Sequence, residues 1–297
     1  MLHIPVLLEE SLDFLLNDLS GTYLDLTFGR GSHSKAILSR LSSSAELHAV
    51  DRDLEAVLYA KKYFTDPRFN IFHANYSEVD TLFPIKKFHG ILLDLGACST
   101  HFDDHSRGFS FQGNGPLDMR MDTTKGFSAA EFLNQASEKE ISEVLYKYGE
   151  EKASRKIAKA IVEHRTRNIF QTTKDLVNIV ESILKRSGKT HPATKTFQGI
   201  RIHVNNELEH LEQALTKLSD LLIDGGVIII ISFHSLEDRI VKNFFKPQIK
   251  SLPKDIPVNN IITEHFECIK KKVKPTAEEI KKNPRARSAV MRVFSKL

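Results

Sequence analysis

The sequence predicts an α/β protein: a doubly wound, Rossmann-like parallel sheet interrupted by an inserted all-helical domain. Three observations carry this. Short apolar runs recur with helical segments between them, as strands buried on both faces require. The stretch Tyr23–Ser34, YLDLTFGRGSHS, takes one such run into a glycine-rich turn and then a helix. From about Asp104 to Thr196 the alternation stops, and only helical periodicity remains.

The strands fall at Thr22–Leu26, Leu47–Val50, Phe69–His73, Phe88–Asp94 and Gly226–Phe233. Their alternation with helices implies parallel pairing, and ligands in such sheets sit outside the carboxyl ends of the strands. Those ends carry Thr27 and Gly29, Asp51, Asn75 and Tyr76, Asp94 and Gly96, and Phe233 and His234. The amphipathic segment Lys35–Leu41 follows the glycine turn. Beyond Asp104, the loop Gly108–Gly126 leads to helices over Ala129–Asn134, Glu138–Tyr148, Glu150–Arg165 and Thr173–Arg186. A single further helix is expected after His191-Pro192, because Phe197, Ile200, Val204, Leu208, Leu211, Leu215, Leu218 and Leu222 step by three and four. It should reach the fifth strand through an Asp224-Gly225-Gly226 turn. Two last strands, Ile261–Cys268 and Ser288–Phe294, flank a short helical piece, Ala277–Lys281. The domains that follow are 1–103 with 197–297 for the sheet and 104–196 for the insert.

The 297 residues suffice for two domains, and 41% hydrophobic with 27% charged residues is ordinary for a soluble globular chain. No apolar run approaches a membrane span, and the N-terminus shows no signal-peptide pattern. Cys98 and Cys268 are far apart without metal spacing, which fits a reducing cytoplasm and argues against a disulfide framework or a zinc site. The net charge of +4 is uneven: residues 242–297 hold 14 Lys+Arg against 5 Asp+Glu, and the rest holds 28 against 33. A basic terminal segment on a mildly acidic body suggests a polyanion partner.

The chemistry concentrates at the strand ends. Gly29, Gly31, Ser32 and His33 form the turn, and Asp51 follows about 20 residues later, the spacing of a carboxylate that takes ribose hydroxyls. A dinucleotide site would want a third glycine near Ser34. Its absence disfavours a nicotinamide-dependent oxidoreductase and favours a nucleoside without a pyrophosphate, such as S-adenosylmethionine. Asp94, in DLGACSTHF, ends the fourth strand, at the crevice where ligands of such sheets sit. His234 and Ser235 resemble a catalytic pair, but no nucleophile elbow is present, and Ser235 with Asp238 has capping-box spacing. Helix Glu150–Arg165 puts Lys152, Arg155, Lys156 and Lys159 on one face, and Arg285 and Arg287 beside Pro284 form a compact phosphate-clamp candidate.

These motifs together resemble the bacterial ribosomal RNA small-subunit methyltransferase H family, also called MraW. The matching stretches are HIPVLLEE at 3–10, DLTFGRGSHS at 25–34, DRD at 51–53, GILLDLG at 90–96, RGFSF at 107–111 and GPLDMRMD at 115–122. They continue with YGEE at 148–151, HPATKTFQGIRIHVNNEL at 191–208, SFHSLEDRIVK at 232–242 and NPRARSA at 283–289. The resemblance implies a class I methyltransferase with an inserted helical substrate domain. It would use S-adenosyl-L-methionine to methylate N4 of a decoding-centre cytidine in 16S rRNA of the small ribosomal subunit. It carries cofactor contacts onto Gly31, Ser32, His33, Asp51, Tyr76 and Asp94, with Gly29 beside them. A further contact, usually a glutamine in a DLGVSSPQ-like loop, falls on His101, and GSHS stands where GGHS is common. Asp94 is expected to position the amino group, with Asp118 and His234 as weaker proton acceptors. Arg120, Arg201, Arg285 and Arg287 are the candidate RNA contacts. No metal and no membrane are expected; a homodimer is left open.

Overall fold

A computed structural model describes residues 5–186, 191–246, 248–250, 261–263 and 265–297, without side-chain surroundings for 248–250 and 261–263. His3 and Ile4 of the HIPVLLEE stretch and Glu264 of the expected strand Ile261–Cys268 lie outside the described residues. The chain divides into two compact units, Met1–Gly96 with Leu208–Leu297, and Ala97–Glu207. These edges differ from 103/104 and 196/197 at both ends.

In the first unit, β1 (Thr22–Asp25), β2 (Glu46–Asp51), β3 (Phe69–His73), β4 (Phe88–Asp94) and β5 (Leu222–Ser232) pair in parallel in the order β3-β2-β1-β4-β5. A separate antiparallel pair, β6 (Gln248–Lys250) and β7 (Ile261–Thr263), precedes β8 (Phe266–Val273). The main sheet continues past β5 into β9 (Val290–Lys296) and then β8, both antiparallel to their neighbours. The parallel sheet expected from the sequence thus gains an antiparallel edge. Period-2 alternation splits its two faces. Ile91, Leu93, Ile228 and Ile230 pack with Leu211, Leu215 and Leu218 of α11 (Glu207–Leu221) and Val241 of α12 (Ser235–Phe244). Leu92, Ile229 and Ile231 face the other way, onto Leu12 and Leu15 of α1 (Leu8–Leu15) and Ile37 and Leu38 of α2 (Ser32–Arg40). The remaining helices of this unit are α3 (Leu54–Tyr63), α4 (Val79–Leu82) and α13 (Ala277–Lys282).

The expected Asp224-Gly225-Gly226 turn lies inside β5. Phe88 pairs with Leu222 and Gly90 with Val227, so the intervening residues loop out, with Gly225 at φ +77°.

The second unit is helical: α5 (Ser99–Asp103), α6 (Ala129–Gln135), α7 (Glu138–Lys147), α8 (Ser154–Arg165), α9 (Thr173–Ile183) and α10 (Thr194–Val204). Its core joins Leu133, Leu145, Ile157, Ile161, Leu176 and Ile200. α8 starts at Ser154, not Glu150, because Glu150 takes φ +51° and Glu151 turns in to accept from the Ala153 amide at 2.8 Å. The glycine-rich loop is pinned from within. Arg107 Nη2 donates to the carbonyls of Arg120 (3.1 Å) and Met121 (2.9 Å).

The single long helix expected after His191-Pro192 is two, α10 and α11. The amide of buried Asn205 donates to the Met119 carbonyl at 2.7 Å and its Oδ1 accepts from Met121 N at 2.7 Å, while Asn206 takes φ +49°. Those bonds replace helical continuation, and the apolar periodicity runs across the break.

Candidate functional site: a carboxylate cluster at the strand ends

The site is built where β1, β2 and β4 end. Gly29 (φ +58°) and Gly31 (φ +72°) reverse the chain after β1, and Gly31 caps α2 in the left-handed region. A Cβ on Gly31 would stand 2.6 Å from the Phe28 ring and closer still to Phe64. Ser32 is the first residue of α2 and tolerates a side chain, which is how GSHS can replace GGHS.

Asp51 closes the turn. Its Oδ2 accepts from the Gly29 amide at 2.7 Å and its Oδ1 from the Asp53 amide at 2.8 Å. Both carboxylate oxygens are thus engaged by backbone amides, and Asp51 is held rigidly at the end of β2. Asp51→Ala should therefore loosen the turn and weaken cofactor binding, by roughly 1.5–3 kcal/mol for each charged hydrogen bond lost. Titration calorimetry giving wild-type affinity would remove Asp51 from the site.

Two further acids complete the cluster. Asp25, at the end of β1, is buried, accepting from Ser34 Oγ at 2.6 Å and from the Thr27 amide at 3.1 Å. Burial nevertheless pushes its carboxyl up to about 6. Asp94 ends β4, and its amide donates to Thr27 Oγ1 at 2.6 Å. Its Oδ2 lies 3.8 Å from His33 Nδ1, and its Oδ1 is buried with no hydrogen-bond partner. Burial, then the negative charges of Asp25 and Glu237, hold this carboxyl well above the ordinary carboxylate range. An orphaned buried carboxylate oxygen among other acids fits a cationic ligand group, which would restore its missing partner.

The other expected residues sort by unit. Tyr76 follows β3, on the short turn that Asn75 caps. His33 is buried, with Nε2 3.2 Å from the Val6 carbonyl. His234 lies two residues past the end of β5, and the capping role given to Ser235 belongs to it. The His234 backbone is extended (φ −140°) whereas Ser235 is already helical; the box is His234 with Glu237, whose Oε2 accepts from Phe233 N at 2.8 Å. A ring held against Glu237 in a cap is poorly placed to act as a free base.

Asp118, Arg120, His101 and Arg201 belong to the helical unit. Arg120 grips Asp118 through two bonds of 2.7 and 2.8 Å. Burial pushes the Asp118 carboxyl up, but those bonds outweigh it and hold it below the ordinary range, which makes Asp118 a weak proton acceptor. Arg201 grips Glu207 likewise, at 2.8 and 2.9 Å. His101 is buried, accepts at Nδ1 from the Cys98 amide at 3.2 Å and stacks on Phe109 at 4.8 Å. Of the four arginines, Arg285 and Arg287 are the exposed ones, on a 3-10 turn (Pro284–Ser288) anchored by buried Ala286.

Sequence reading missed Asp25 and Glu237 as site residues. For Asp25 the signal was present, because an acid inside a strand predicted to be buried on both faces is costly unless it has a task; Glu237, on α12, carried no such mark.

A parallel sheet ordered 3-2-1-4-5 with an antiparallel strand inserted beyond β5, a glycine turn after β1 and an acid after β2 define a class I methyltransferase fold. The MraW methylase family profile matches residues 1–297, and the chain belongs to that family. Membership makes it an S-adenosyl-L-methionine-dependent methyltransferase. Among similar proteins, "Ribosomal RNA small subunit methyltransferase H" of Nitrosomonas eutropha is 46% identical over 100% of this chain and 98% of its own length. The protein of the same name from Legionella pneumophila (strain Paris) is 47% identical over 99% of both. A solved structure of a putative rRNA-methylase from Clostridium thermocellum aligns over 100% of both chains at 12% identity, with a TM-score of 0.48.

Proposed function

We propose that this protein methylates the exocyclic N4 of a decoding-centre cytidine in 16S rRNA, with the small ribosomal subunit as substrate. The observation that carries the chemistry is Asp94: half-buried at a strand end, with one carboxylate oxygen buried and unpartnered. Gly29, Gly31, Ser32 and His33 would line the donor, Asp51 would take its ribose hydroxyls, and Tyr76 would cover its base. Bound S-adenosyl-L-methionine supplies an activated methyl on a sulfonium. A cytosine amino nitrogen is a poor nucleophile, because its lone pair is delocalised into the ring. The protein's task is therefore to hold that nitrogen in line and to accept a proton as the bond forms. Asp94 Oδ1 is free to take a hydrogen from the amino group, and its raised proton affinity suits it to keep one. The helical unit, 97–207, is the substrate-recognition part of this reading, and the base is unstacked to reach the site.

The test is incubation of purified protein with unmethylated small subunits and labelled S-adenosyl-L-methionine, followed by nucleoside analysis. Label on N4-methylcytidine supports the reading; label on a ring carbon or a ribose, or none, rejects it.

Arg285 and Arg287 are the RNA-phosphate contacts of this reading. The double alanine variant should fold and bind the donor as wild type does, since the turn is anchored through Ala286 and Ala289. Its affinity for subunits should fall, and each lost phosphate contact should lower the log–log salt slope by about 0.7–0.9. A lower melting temperature with an unchanged slope would assign the arginines to holding the terminal strand.

A further inference from the structure

The helical unit carries a cluster of rings that neither the cofactor site nor the arginine turn uses. His203, on α10, packs at 4.4 Å from Phe132, 5.7 Å from Phe127 and 6.4 Å from Tyr148, the last nearly parallel at 20°. Phe132 is buried beneath, but Phe127 leaves 41% of its surface in solvent. Burial keeps the His203 imidazole below its usual range despite Glu140, so near neutral pH it presents a neutral ring face. Lys147 sits 4.9 Å over the Tyr148 ring, and the side chain of Lys125, two residues before Phe127, is 73% exposed.

The rings are set on a stiff base. Gly149 and Gly199 let two backbone segments touch: a Cβ on Gly199 would meet the Gly149 nitrogen at 2.9 Å, and one on Gly149 would run into the Lys195 carbonyl. Gln198 Nε2 donates to the Tyr148 carbonyl at 3.1 Å, and Lys195 Nζ to the Glu150 carbonyl at 3.0 Å. Ser128, next to Phe127, caps α6 in a full capping box with Glu131. The backbone beneath the rings therefore has little freedom left to lose on binding.

We propose that Phe127, His203 and Tyr148, with Lys147 and Lys125, form a stacking platform for unpaired nucleotides of the RNA substrate. Interleaved rings and cations are what single-stranded nucleic acid requires: π faces for the bases and ammonium groups for the phosphates. An apolar contact for a protein would gain nothing from the lysines. The proposal rests on the RNA-methyltransferase reading and names where that RNA is held.

The experiment compares full-length wild type with Phe127→Ala, Phe127→Tyr and Phe127→Leu. Sedimentation with unmethylated small subunits gives subunit affinity, methyl incorporation gives KM and kcat, and calorimetry gives donor affinity. Phe127→Ala should weaken subunit binding and raise KM about fivefold to a hundredfold, the range expected for one lost base–ring stack. Its kcat and donor affinity should stay at wild-type values. Phe127→Tyr should restore binding and Phe127→Leu should not. Unchanged binding in Phe127→Ala overturns the platform. Equal rescue by Leu and Tyr also overturns it, and assigns the patch to an apolar protein contact. If wild type binds subunits but methylates nothing, the activity reading falls, and the binding series still decides the platform.

Discussion

Asp94→Asn is expected to fold and to lose methyl transfer by roughly two to four orders of magnitude, the range for removing a positioned proton acceptor. The change conserves shape and removes one charge. The buried, unpartnered Oδ1 of Asp94 is where an amino hydrogen or a cationic group would find its acceptor. Loss of the charge should weaken binding of S-adenosyl-L-methionine, cationic at sulfur, more than binding of S-adenosylhomocysteine, which is neutral there. Proton linkage gives a second measurement. Asp25 titrates at about 6, and Asp94 lies well above the ordinary range, with burial the largest cause in each. Both carboxyls hold protons more tightly folded than unfolded. Their contribution to stability is therefore present below their unfolded values and lost as pH rises through the folded ones. A cationic donor favours the ionised forms, so it should bind with proton release, and its affinity should rise as pH increases through about 6, where Asp25 loses its proton. Calorimetry in buffers of different ionisation heat counts the released protons. The count should fall in Asp94→Asn, and an equal count would place Asp94 outside the donor site.

Gly31→Ala is expected to damage fold and cofactor binding together. An alanine held at the φ of +72° found here costs about 1–2 kcal/mol. Its Cβ would also displace Phe28 and Phe64, whose rings meet edge to face at 5.1 Å in a packed cluster with Phe69. Overpacking of that kind adds about 1–3 kcal/mol. The combined loss should lower Tm on the order of 5–15 °C. Donor affinity should fall as well, because the Gly29 amide and Asp51 share the strained turn. Ser32→Gly is the control for the backbone conformation alone: position 32 is ordinary helix, and the variant should keep a Tm close to wild type. A Gly31→Ala protein with unchanged Tm would mean that the two rings yield freely.

Much of the fold is legible in local pattern. GILLDLG reads as a buried strand because every residue from Gly90 to Leu93 is shielded by a layer on each face. The same logic puts Asp51 and Asp94 at strand ends. The glycine turn is legible because left-handed backbone leaves a residue-type mark. The helices of the second unit announce themselves by capping residues such as Ser128, Ser137 and Thr172.

What stayed hidden depends on partners distant in sequence. The apolar steps from Phe197 to Leu222 describe one helix, and the chain breaks it because Asn205 finds the backbone of Met119 and Met121, more than eighty residues away. Arg120 and Arg201 look like phosphate ligands until Asp118 and Glu207 are placed beside them. The caps of α12 are a matter of one residue, settled by an extended backbone at His234. The proton affinities of Asp25 and Asp94 exist in no segment of the sequence. Strand placement follows from the spacing of apolar residues along the chain, so the sequence alone determined it. A carboxyl's solvation and charged neighbours are summed over the surrounding volume, so only the folded sheet, with β1, β4 and α12 brought together, decided which acid keeps its proton.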